Sequence, residues 1–577
     1  MFIFVSKFFY STKLMSKFTI YQVLPRLFGN YTTTNKYNGS ISENGCGKFN
    51  SFSKKALNEI KSLGITHIWY TGVIEHATQT DYSAHNIRMD HAAIVKGKAG
   101  SAYAIKDYYD VDPDLAVNVE NRMAEFEDLV KRTHNAGLKV IIDFVPNHVA
   151  RQYGSDVKPS MVRDLGENDR TDCAFHPNNN FYYLPGLQFQ PDFDIGGYYE
   201  CPAKVTGNDQ FSASPTVNDW YETVKLNYGT DYVQHQNHFD PIPDTWLKMR
   251  DILLFWATKD IDGFRCDMAE MVPVDFWHWV IDEVKQIYPE IIFIAEVYQP
   301  QEYRNFVFHG GFDYLYDKVG MYDLLRNIIC HGHSAAGITH AWQSVSGIED
   351  QMLQFLENHD EQRIASAFFA GDPDCARPAM IVAATLTRAP VMIYSGQEIG
   401  EPGMDEEGFS GLDGRTTIFD YWGVKSIQDW ANRGKFDGVF LSPKQKELQS
   451  FYRKLLNIAS TEPAVVNGVM YDLQYANLYR QDYNPDKQFA FFRQYEEQLL
   501  LIVVNFDDQP VEIGLTVPSE AFEYLKIPQG SLFQYTDMLT DEFVEETISI
   551  SSEEKIRLNI CASDGRIIKL RRINTLV

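Results

Sequence analysis

The chain has 577 residues, 44% apolar and 23% charged, a composition that fits a folded globular protein and excludes a disordered one. Its 52 basic and 78 acidic residues leave a formal net charge of −26, which repels phosphate backbones and anionic lipid surfaces and argues against nucleic acid or a membrane as partner. The seven cysteines lie scattered from Cys46 to Cys561 without C-x-x-C pairs, against a disulfide framework or a zinc site and in favour of a reducing, cytoplasmic setting.

The first segment, MFIFVSKFFYSTKLMSK, opens apolar, but Lys7 interrupts it and no small-residue cleavage site follows. Two readings stand for it: a weak export signal, or translation beginning at Met15. No apolar run approaches the ~18 residues that span a bilayer.

From there the chain alternates short runs rich in β-branched and aromatic residues with amphipathic stretches, the pattern of repeated βα units. Eight such runs follow in order: FTIYQVL (18–24), ITHIWYTG (65–72), LKVIIDFV (138–145), IDGFRCDM (261–268), IIFIAEV (291–297), GFDYLYD (311–317), MLQFLEN (352–358) and APVMIYSG (389–396). Between the second and third, RMAEFEDLVKRTHNAG (122–137) reads as a helix closed by the glycine expected at its C-terminus. Eight units predict an α/β fold, a (β/α)8 barrel. The interval after the third run is too long for one crossover, and its Asn, Pro, Gly and aromatic content predicts an inserted irregular domain. After KQKELQSFYRKLLNIAS, runs such as KQFAFFRQY and QLLLIVVNF predict a C-terminal β-sandwich. The predicted organisation is a barrel over 1–148 and 241–461, an insert over 149–240 and a β domain over 462–577.

Polar groups collect where the barrel runs end, the face on which barrel enzymes build their sites. DFVPNH offers Asp143, Asn147 and His148. In GFRCDMAE, Arg265 and Asp267 stand two apart and share one strand face, while Cys266 faces away as a core thiol. The fifth run ends at Glu296, and LENHD offers Asn358, His359 and Asp360. Each alone reads equally as a cap, a turn former or a structural ion pair. Together, four carboxylates, an arginine and two histidines at one mouth describe a site that separates pKa values, supplying a proton donor and a nucleophile. The first run carries no H-x-H for metal-assisted hydrolysis, and no serine stands in a G-x-S-x-G elbow.

DFVPNH, GFRCDMAE, IFIAEVY and LENHD, in this order and spacing, resemble the four signature motifs of the alpha-amylase family of glycoside hydrolases. The resemblance extends to SAYAIKDYYDVDPDL (101–115), to VKLNYG (224–229) near the end of the insert, and to IYSGQEIG after the eighth strand. It implies Asp267 as nucleophile, Arg265 as the charge that keeps it ionised, and Glu296 as general acid and base. Asp360 would bind the hydroxyls of the distorted sugar with His148 and His359, Tyr103 would stack beneath it, Asp143 would orient the site, and Asn358 would lie on the substrate side. The resemblance also implies a structural calcium ion with Asn147 as a ligand, and no organic cofactor. Where many alpha-amylases carry Lys and His after the nucleophile, this chain has Glu270 and Met271, which puts leaving-group specificity in doubt. The implied activity is hydrolysis of α-1,4-glucosidic bonds in starch or maltooligosaccharides. The same residues also serve relatives that cleave α-1,6 bonds, transfer glycans or isomerise disaccharides, and a glucan-binding protein without catalysis is the remote alternative.

Overall fold

A computed structural model describes residues 17–573 of the chain; the N-terminal stretch containing Lys7 lies outside the described residues. Eight parallel strands close into a barrel: β1 (Thr19–Val23), β2 (His67–Tyr70), β3 (Lys139–Phe144), β4 (Gly263–Cys266), β5 (Ile292–Ala295), β6 (Tyr314–Tyr316), β7 (Met352–Phe355) and β8 (Val391–Tyr394). Each pairs with its neighbour in sequence, and β8 pairs with β1. The strands are buried almost throughout, as expected for parallel strands lying between the barrel interior and a ring of helices. Each lies inside one of the eight sequence runs and is shorter than it, because the last residues of each run leave the ladder and enter the loops above.

Helix α1 (Arg122–Asn135) shows how the crossovers form. Phe126, Leu129, Val130 and Thr133 fall on one face at helical spacing and are buried, and the chain turns out of the helix through Gly137 at a φ of +74°, a left-handed conformation that glycine adopts without a Cβ clash. At the far end of the barrel, α2 (Pro443–Thr461) begins with a capping box in which the Ser442 hydroxyl accepts from the Gln445 N–H at 3.2 Å and the Gln445 side chain accepts from the Ser442 N–H at 2.9 Å.

Between β3 and β4 the chain forms short antiparallel pairs joined by irregular loops, with His148–Ala150 paired to Thr223–Lys225. Its aromatic run Phe181, Tyr182 and Tyr183 is buried in the insert itself. Beyond α2, a six-stranded antiparallel sheet has the order β9–β10–β11–β16–β13–β14, with β9 (Val469–Asp472), β10 (Gln488–Tyr495), β11 (Gln498–Asn505), β13 (Ser531–Asp537), β14 (Glu542–Ile550) and β16 (Asp564–Arg572). β12 (Val511–Leu515) and β15 (Ile556–Ile560) form a second, two-stranded sheet. This β domain has its own apolar core, including Phe492, Leu501, Ile513, Leu558 and Ile568.

Candidate active site

Parallel pairing sets Arg265 of β4 beside Asp143 of β3 and Ile294 of β5, so side chains on the inward face of three adjacent strands converge. Arg265 is 1% exposed, and a guanidinium buried so deeply is stable only if its donors are used. Its Nη1 donates to Asp267 Oδ1 at 2.8 Å and lies 3.6 Å from Asp143 Oδ1. Its Nη2 forms an ion pair with Glu296 Oε2 at 2.7 Å, and its Nε donates to the Tyr316 hydroxyl at 3.1 Å. The rings of Trp69, Tyr103 and Tyr316 surround the cation, with centroids 5.1, 5.6 and 5.4 Å from Cζ. Cys266, between the two site residues, is fully buried on the opposite face of the strand.

Glu296 follows β5 directly. Its Oε2 accepts the backbone N–H of Met268 at 2.8 Å, a donor aimed by Met268's left-handed φ of 42°, which a non-glycine residue adopts only under constraint from its surroundings. The Tyr298 hydroxyl donates to the other oxygen, Oε1. Glu270, the departure noted after the nucleophile motif, accepts from the backbone N–H groups of Tyr298 at 2.9 Å and Gln299 at 3.1 Å, and so braces the loop that carries Tyr298.

On the opposite side, His359 joins three groups. Gln22 Nε2 meets its Nδ1 at 2.7 Å; an amide nitrogen only donates, so Nδ1 accepts and the ring proton sits on Nε2. That nitrogen lies 2.5 Å from the Tyr103 hydroxyl and 3.1 Å from Asp360 Oδ2, and the Tyr103 and His359 rings stack at 5.1 Å. Burial and the Arg265 charge hold His359 well below the ordinary histidine range, and burial pushes His148 down to about 3. Both rings are therefore neutral hydrogen-bonding groups, not acids.

The carboxyls are pushed the other way. Burial drives Asp267 well above the usual range, with Arg265 opposing it, and burial carries Asp143 up to about 6. Although 32% of the Asp360 side chain opens into the cavity, its apolar surroundings and then Glu296 push it up to about 7.

These groups border a cavity of about 350 Å³, near the low end of the roughly 300–1,000 Å³ of small-molecule sites, which Tyr103, His148, Asp267, Glu296 and Asp360 all line. A neighbouring recess of about 650 Å³ shares Lys96, Trp220, Phe409 and Phe419 with it. Arg265, Asp143, His359 and Asn358 stand behind this wall. Asp143 accepts from Trp69 Nε1 at 3.0 Å and the Gly72 N–H at 3.2 Å. Asn358 faces its own turn, accepting from the backbone N–H groups of Asp360 and Glu361 at 2.8 and 2.9 Å. Sequence reasoning missed Gln22, Trp69, Tyr298 and Trp220. A signal existed for two of them: Gln22 is a polar residue inside an apolar strand run, and Tyr298 stands two residues after Glu296, the spacing that singled out Arg265 and Asp267.

Asn147 does not fit a calcium ligand. Its Oδ1 accepts from the Lys225 ammonium at 2.5 Å and its Nδ2 donates to the Gly207 carbonyl at 2.8 Å, so the oxygen a hard cation would need is already engaged by a side-chain cation. Among the described residues no group of three or more His, Cys, Asp or Glu side chains is placed to hold a metal ion, and no helix is long and apolar enough to cross a membrane. All seven cysteines are free thiols.

Comparison with known proteins bears on the family and the fold. The sequence profile of the alpha amylase catalytic domain matches residues 22–418. Alpha-amylase 2 of Dictyoglomus thermophilum is 21% identical over 493 residues, covering 85% of this chain and 69% of the relative. A cyclomaltodextrin glucanotransferase of Geobacillus stearothermophilus is 22% identical over 401 residues, covering 66% of this chain but only 49% of the relative. Among solved structures, the noncanonic maltogenic alpha-amylase AmyB of Thermotoga neapolitana superimposes with a TM-score of 0.61 at 20% identity, covering 96% of this chain and 98% of that one.

Proposed function

This chain belongs to the alpha-amylase family of glycoside hydrolases, and on that premise we propose that it hydrolyses α-1,4-glucosidic bonds of starch or maltooligosaccharides with retention of configuration. The observation that carries the reading is the sharing of one guanidinium by two carboxyls, Asp267 on Nη1 and Glu296 on Nη2, both facing the same cavity.

In this mechanism Asp267 attacks the anomeric carbon, its charge favoured by Arg265, while Glu296 gives its proton to the departing glycosidic oxygen. The bond to the leaving sugar breaks as the bond to Asp267 forms. Glu296, now a carboxylate, takes a proton from water, whose oxygen attacks the same carbon and releases Asp267. Tyr103 presents a ring face to the sugar. Asp360 and neutral His148 offer hydrogen bonds to its hydroxyls, with His359 and Asn358 fixing the position of Asp360. The aromatic recess beside the cavity, with Trp220, Phe409 and Phe419, supports a substrate longer than one ring.

A product profile on maltoheptaose, pullulan and maltose tests this. Shorter maltooligosaccharides from maltoheptaose, with pullulan and maltose left intact, is the expected result. Cleavage of pullulan at its α-1,6 bonds would reassign the bond, and products longer than the substrate would make the chain a transferase, the activity named in the cyclomaltodextrin glucanotransferase relative. Binding of maltoheptaose without turnover would leave only a glucan-binding role.

A further inference from the structure

The VKLNYG segment of the insert contains a buried lysine that the catalytic reading leaves without a role. Lys225 is 2% exposed, and an ammonium at that depth is tolerated only when its three donors are matched. All three are. Nζ lies 2.5 Å from Asn147 Oδ1 in the loop after β3, 3.2 Å from the Met271 carbonyl in the loop after β4, and 2.7 Å from Asp209 Oδ1 in the insert. One amide, one carbonyl and one carboxylate oxygen, from three segments far apart in sequence, thus meet at a single positive charge.

The position of this charge bears on the active site from two sides. Lys225 stands opposite His148 in the antiparallel pair that joins the insert to the barrel, and Asn147 is its neighbour in sequence. Met271 closes the short turn that follows Asp267, its N–H bonded to the Met268 carbonyl at 2.9 Å. Gly207, whose carbonyl holds Asn147, packs so closely on His148 that an added Cβ would fall 2.9 Å from the histidine Cβ, so this junction has no slack.

We propose that the Lys225 ammonium is a built-in cation tie that holds the insert against the loops of His148 and Asp267, doing without a metal ion the work a divalent cation would do among the same oxygens. Lys225 touches no cavity atom of the reaction and is a positioning residue. The proposal is independent of which glucan is cleaved, because thermal unfolding reads it without substrate.

The test has two arms. Wild-type Tm and kcat/KM on maltoheptaose are expected to stay the same after exhaustive dialysis against EDTA and after addition of millimolar CaCl2; a fall with chelator or a rise of several degrees with calcium would overturn the tie. In the second arm, Lys225→Ala leaves three oxygens around an open space, whereas Lys225→Met fills that space with an uncharged chain. Both are expected to lower kcat at least tenfold, with Ca2+ or ethylammonium restoring a substantial part in Lys225→Ala alone. Wild-type activity of Lys225→Ala without added cation, or no recovery with either cation, would overturn the proposal. If neither variant folds, Asp209→Asn, which keeps the lysine and removes its carboxylate partner at a 37% exposed position, is expected to lower Tm, and an unchanged Tm counts against the tie.

Discussion

The Tyr298 hydroxyl donates a hydrogen bond to Oε1 of Glu296, two residues before it in sequence, while Oε2 of the same carboxyl takes the Met268 N–H and the Arg265 charge. Glu296 therefore has both oxygens fixed. Tyr298→Phe keeps the ring in the cavity wall and removes only the hydroxyl, so a kcat lowered about tenfold with a nearly unchanged KM is expected, since the loss falls on orienting the acid for proton transfer. Steady-state kinetics on maltoheptaose measure it, and a change confined to KM would mean that Tyr298 acts on the substrate instead.

Asp267→Asn and Glu296→Gln preserve shape and remove charge. Each is expected to lower kcat ~10³-fold or more while circular dichroism stays that of the wild type, and the double variant should be little worse than the poorer single one, because residues that act as a unit lose their contribution together. A kcat within tenfold of wild type for either single variant would end the assignment.

The stereochemistry follows from two displacements at one carbon. If Asp267 is the nucleophile, the first product released from a maltooligosaccharide carries the α configuration, and the two carboxyl groups stand roughly 5 to 5.5 Å apart instead of the ~6.5 to 9.5 Å of inverting enzymes. Their attachment to one guanidinium favours the shorter separation. Proton NMR within the first minutes of reaction is expected to show the α-anomer ahead of mutarotation; an initial β-anomer would assign Asp267 as a base acting through water.

Burial makes the carboxyls of the site weaker acids, and unfolding reveals it. Asp360 is raised to about 7 and Asp143 to about 6, whereas an unfolded chain holds aspartate near 3.9. Between about pH 4 and pH 7 these two carboxyls thus bind more protons in the folded state than in the unfolded state, and the stability they contribute falls as pH rises through that window. Buried Glu357 and Glu398, each pushed up to about 7, act in the same direction. Buried His148 and His359, held neutral in the fold, act in the opposite direction below about pH 6.5, so Tm is expected to decline from about pH 6.5 to pH 8. Asp360→Asn removes one contributor, so its Tm should exceed that of the wild type at pH 8 and match it near pH 4; equal Tm values at pH 8 would show that the carboxylate is not penalised in the fold.

The eight strand runs, the helix over Arg122–Asn135 and the convergence of Arg265 with Asp267 were legible in the chain itself, because each rests on a periodicity of two or 3.6 residues confined to a short window. Parallel neighbours in a closed barrel then made the ends of β3, β4 and β5 share one mouth. Roles that need distant segments were not legible. Asn358 stands two residues before Asp360 in sequence, yet its side chain turns back to hold two backbone N–H groups. Trp220 and Phe409 reach one cavity wall from the insert and from the segment after β8, and the amide of Asn147 meets a lysine 78 residues away. Such pairings depend on how an irregular insert seats on the barrel, which is settled by packing and by the matching of buried donors to acceptors across the whole fold, and no local pattern of residues carries that information.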